Sequence, residues 1–109
     1  MNATGFALEC KRERDAMFAL YSDPSGGSAV AAFIEKASLT REQRKLIFAA
    51  LDTALTDAFY TMLLGIDGAA ALGDGQQIYT LRDELGDVVS SGNGALEQAA
   101  YEAFHSKSR

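Results

Sequence analysis

Residues 40–65 read TREQRKLIFAALDTALTDAFYTMLLG, and this stretch decides the fold. Thr40 carries a hydroxyl suited to the first unpaired amides of a helix. Gln43 follows at the spacing of a capping box. From Leu46 and Ile47 through Ala50, Leu51, Ala54, Leu55, Ala58 and Phe59 to Met62 and Leu63, apolar residues recur at steps of three and four. That period lays an apolar stripe along a helix over residues 41–64. Gly65 stands where a left-handed residue would end it. Such a rod is roughly 36 Å long, as long as a small domain is wide. The shorter elements are expected to pack on it.

The chain has 109 residues, close to the commonest domain size, and reads as a single domain over 1–109. With 48% hydrophobic and 23% charged residues it has the composition of a globular protein rather than a disordered or fibrous one. Cys10 is the single cysteine, so no internal disulfide forms, which favours a reducing compartment. No unbroken apolar run reaches the length of a bilayer span, and no secretory leader pattern opens the chain. The expectation is a cytoplasmic protein without membrane contact.

Charge is divided unevenly. Residues 1–45 balance at +1, residues 46–104 at −8, and the last five at +2, for the overall −5. An acidic half repels phosphate backbones, which argues against direct nucleic-acid binding. It suits a basic protein partner by electrostatic steering, or it is simply a solvated surface.

Before the long helix, residues 6–21 favour a helix with Phe6, Cys10, Met17, Leu20 and Tyr21 near one face. Its charged middle, Lys11-Arg12-Glu13-Arg14-Asp15, is expected mostly in water, with Lys11 and Asp15 paired. Residues 22–27 form a loop. Ser28 caps a short helix to about Ala37, with Val30, Phe33 and Ile34 on its apolar side. After Gly65 the pattern changes to turns at 66–68 and 73–75 and a hairpin over 77–91, with residues 69–72 as an optional third strand. One face of the hairpin should lie on the long helix, because an isolated hairpin is marginal in water. Asn93 or Gly94 then starts a last helix, with Leu96, Ala99, Ala100, Ala103 and Phe104 inward. The result is an α+β fold: three N-terminal helices with the third long and central, a two- or three-stranded antiparallel meander, and a C-terminal helix.

Chemistry-bearing patterns are few. Asp52, Thr56 and Tyr60 share part of a face on the long helix. With Tyr79 they would line a polar pocket between that helix and the sheet, or else they are the wet side of an amphipathic helix. Asp83, Glu84 and Asp87 make the hairpin acidic, a surface for a basic partner, although aspartate beside glycine is also what turns demand. The acids lack the alternating spacing of a calcium loop, and Gly26-Gly27 lacks the lysine and strand of a phosphate loop. Cys10 and His105 sit at opposite ends, His105 in a terminal segment expected to fray. No catalytic residue, metal ligand or cofactor site is assigned.

Phe48, Phe59, Tyr60 and Leu64 widen the apolar surface of the long helix beyond one stripe. Such a helix sits at the centre of the fold or offers its second face to another subunit, so a homodimer is one expectation. In general plan, a small acidic α+β domain of this kind resembles the small bacterial immunity and accessory proteins, a likeness of type that transfers no residue. The functional expectation is a noncatalytic protein–protein interaction or accessory module, and the reading leans against an enzyme. The alternative is a small-molecule binder or an enzyme using the pocket between helix and sheet.

Overall fold

Helix α1 spans Ala3–Tyr21, and the reason it starts before residue 6 is Asn2, whose side chain accepts from the Gly5 amide at 2.9 Å. We describe the fold from a computed structural model, in which residues 1–106 are described. Helix α2 covers Ala29–Lys36 and α3 covers Arg41–Ile66, followed by β1 at Leu81–Arg82, β2 at Val88–Ser90 and α4 at Ala95–Phe104. The expected caps are in place: Ser28 accepts from Ala31, and Thr40 and Gln43 exchange both bonds of the capping box. The expected Lys11–Asp15 pair forms at 3.0 Å. Lys107 and Arg109, which give the last five residues their +2, lie outside the described residues.

Gly65 does not stop α3. It is helical and buried, and a Cβ there would lie 3.0 Å from Cδ1 of Leu72. The glycine is required by the close approach of the following loop rather than by its own dihedrals. Gly68, with φ +78°, is the left-handed residue that turns the chain.

The sheet is smaller than the residue pattern suggests. Strands β1 and β2 pair antiparallel, Leu81 with Ser90 and Arg82 with Val88, with an irregularity between the two pairs. Residues 69–72 contribute only an isolated bridge between Leu72 and Gly75, and Ile78 is exposed. The hairpin rests against α1 and α4 through β2, rather than against the long helix.

The largest correction concerns the centre of the molecule. Of the residues in α3, only Leu55, Leu63 and Gly65 are buried. The core gathers around α4, whose Leu96, Ala99, Ala100, Ala103 and Phe104 meet Ala3 and Ala7 of α1 and Leu63 of α3. Contact is most extensive between α1 and α4, where alanines on both sides let the backbones come close. The first half of α3, with α2 beside it, projects from this core. The molecule measures 46 × 29 × 28 Å, and its radius of gyration of 16.4 Å exceeds the about 13 Å of a compact chain of 100 residues.

One further expectation changes. Arg14, placed in water by its charged neighbours, is buried against α3. Helix α3 is also long and apolar enough, by length and composition, to cross a membrane, even though Asp52 and Asp57 interrupt it.

Candidate functional site

Two polar residues of α3, Asp52 and Tyr60, are engaged by other helices. Asp52 accepts from Arg14 through both its carboxylate and its backbone carbonyl, the latter at 3.0 Å. Asp15 takes a second arm of the same guanidinium at 2.7 Å, and the Phe18 ring lies 5.6 Å from its centre. Burial of a charge at 7% exposure is tolerated because these partners replace its water, although its Nε has no acceptor. Lys11 and Arg14 hold the Asp15 carboxyl below its ordinary range against the opposing effect of desolvation, which is the largest single influence. Thr56 is half-buried one turn further on. Tyr60 meets the His105 ring edge-on at 4.4 Å, which ties α3 to the end of α4. Tyr79 lies apart on the hairpin, its hydroxyl accepting from Gln77 at 3.2 Å. The four residues read as a ligand lining line none of the three principal grooves.

The hairpin acids are also partly committed. Asp83 Oδ1 accepts from the amides of Leu85 and Asp87 and so builds the turn. The N-terminal ammonium of Met1 donates to Asp83 at 2.6 Å and to Asp87 at 3.0 Å. Glu84 is exposed. Hydrogen bonding from the ammonium, helped by the turn amides, lowers the Asp83 carboxyl from its ordinary 3.8. The same bond raises the amine from 8.0. The signs set a window. The Asp83 contribution is complete above the ordinary carboxylate value and is lost as pH falls through the lowered one. The amine contribution is complete below pH 8.0 and is lost as pH rises through the raised one. Resonances of Leu85 and Asp87 should therefore hold steady between these limits and move outside them. A transition centred at the ordinary carboxylate value, with no change as the amine titrates, would show that the contact is open in solution.

What remains is an apolar face. Adjacent residues on a helix point about 100° apart, so the paired apolar positions of α3 split into two stripes. Leu55, Phe59 and Leu63 turn toward the core, while Ala54, Ala58 and Met62 turn away from it with Ile47 and Leu51. Between α2 and the first half of α3 runs a groove of about 420 Å³, lined by Val30, Phe33, Ile34, Ile47, Ala50, Leu51 and Ala54. Phe33 is 72% exposed and Leu46 69%. Further along, a groove of about 290 Å³ between α1 and α3 is lined by Phe6, Cys10 and Ile66 together with Ala58, Phe59, Met62 and Leu63. Partial burial, helped by the neighbouring Glu9 carboxylate, raises the Cys10 thiol pKa and so favours its protonated form. Both grooves are walled almost wholly by carbon, so they offer adhesion without the convergent polar groups that orient a small substrate.

Among the described residues no cluster of three or more His, Cys, Asp or Glu side chains is placed to hold a metal ion. Comparison with protein-family models, with curated proteins and with solved structures finds no match to this chain. Arg14, inside a charge run, and Asp67, inside an Asp-Gly turn and bonded to Ser90 and Glu97, carry no local sequence signal of these contacts. The outward stripe was legible as the Ile47, Leu51, Ala54, Ala58, Met62 spacing, offset by one residue from the inward one.

Proposed function

We propose that this chain is a noncatalytic interaction module, of accessory type, which works by offering the apolar face of α2 and α3 to another polypeptide. The observation that carries the reading is the α2–α3 groove with Phe33 and Leu46 standing open beside it. A continuous apolar patch is costly to leave in water and marks an interaction surface. The acidic hairpin is a weaker candidate because Asp83 and Asp87 already hold the N-terminal ammonium. The acids of residues 46–104 then act at longer range and steer a basic surface toward the chain.

A photo-cross-linking residue at Ala50, inside the groove, tests this in cells, with the exposed Ala71 as the control position. Discrete protein adducts are expected from position 50 and not from 71, and they should vanish when Leu51→Glu is added. Equal labelling from both positions, or none from either, would overturn the module reading.

A further inference from the structure

The ends of the molecule carry opposite charge. Residues 35–45, at the open end, hold Lys36, Arg41, Arg44 and Lys45 against Glu35 and Glu42, a balance of +2. Arg44 is paired with Glu35 at 2.7 Å, while Lys36, Arg41 and Lys45 have no ion pair among the described residues. The remainder to residue 104 is strongly acidic. The outward apolar stripe runs between these two ends, from Ile47 to Met62.

We propose that the occupant of this stripe is a second copy of the same chain, with its α3 antiparallel to the first about a two-fold axis beside Ala54. This rests on the module reading and names the partner. An antiparallel pair sets the basic end of each copy beside the acidic end of the other, whereas a parallel pair would stack like on like. Side-chain size fits the same symmetry. Ile47 comes opposite Met62 of the other copy, Leu51 opposite Ala58, and Ala54 against its own equivalent, so a large residue meets a small one next to the axis. Alanines at the centre let the helices approach to about 8 Å. Interfaces of standard size cover about 800 Å² per partner, more than one helix face supplies, so Val30 and Phe33 of α2 share the contact. The two-fold relation makes the interface isologous, and it closes at two copies.

The test is sedimentation of the full chain with cysteine cross-linking in a Cys10→Ser background. A dimer of twice 11.6 kDa is expected at micromolar concentration. Ala54→Glu, which sets two like charges at the axis, should weaken it about a hundredfold or more while leaving the helical signal unchanged. Ile47→Cys with Met62→Cys should cross-link between copies under mild oxidation. Neither single variant should, because equivalent positions then lie about 22 Å apart along the helices. Strong cross-linking of Ile47→Cys alone would overturn the antiparallel arrangement. A monomer at these concentrations overturns the second copy as occupant. If that monomer still gives adducts from position 50 the module reading stands, and if it pellets with lipid vesicles instead the module reading falls too.

Discussion

Asp67→Ala is expected to lower the stability of the fold by about 3 kcal/mol, roughly a hundredfold in the folded-to-unfolded ratio. Helix α4 begins at Gly94, which has φ +87° and no side chain with which to cap the exposed amides. Asn93 meets one, that of Ala95, at 3.1 Å. The third-position amide, Glu97 N, is met from thirty residues away by Asp67 Oδ2 at 2.9 Å. The other carboxylate oxygen of Asp67 accepts from the Ser90 hydroxyl at 3.0 Å, and both side chains are buried. One residue therefore closes the C-terminus of α3, fixes β2 and places a negative charge at the positive end of the α4 dipole. Alanine would remove the cap and leave a buried hydroxyl and an amide unsatisfied. Asp67→Asn keeps an acceptor for one of them and should cost about half as much. Urea unfolding of both variants measures the difference, and Ser90→Ala in a double-mutant cycle should show strong coupling to Asp67. Two variants with wild-type midpoints would mean that α4 is held by apolar packing alone.

How much of this was legible follows from how far each signal reaches along the chain. Ser28, Thr40 and Gln43 could be placed because a cap acts on amides two or three residues away. The order of elements follows from such signals together with the 3.6-residue period. Asp67 resisted because an Asp-Gly pair satisfies turn chemistry locally, and nothing in sequence marks its bond to Glu97. Arg14 resisted for a similar reason. In a run of five charged residues, the one that faces another helix is set by the rotation of α1 against α3. Of the candidate site, the spacing of the outward stripe was present in the sequence. Its exposure was not, because periodicity reports that a helix has an apolar face and not whether anything in the same chain covers it. Asp52 and Tyr60 share a face as expected, but that face meets Arg14 and His105.

The same distinction between a face and its cover predicts opposite results for one substitution made at two leucines. Leu96→Ala should cost about 3–4 kcal/mol, a large fraction of the 5–15 kcal/mol typical of a whole domain. Leu96 is fully buried, and its neighbours Ala99, Ala100 and Ala103 are already small, with little side chain to lean into the cavity. Leu46→Ala on α3, measured at a dilution where association contributes nothing, should lie within about 0.5 kcal/mol of wild type, because the residue is 69% exposed. A molecule organised around its longest helix would give comparable losses at both sites. Here the energetic centre is instead the ten-residue α4 held between α1 and the last turns of α3. If Leu46→Ala unfolds the isolated chain as readily as Leu96→Ala does, then α2 folds down onto α3 in solution, and the open face on which the interaction reading depends does not exist.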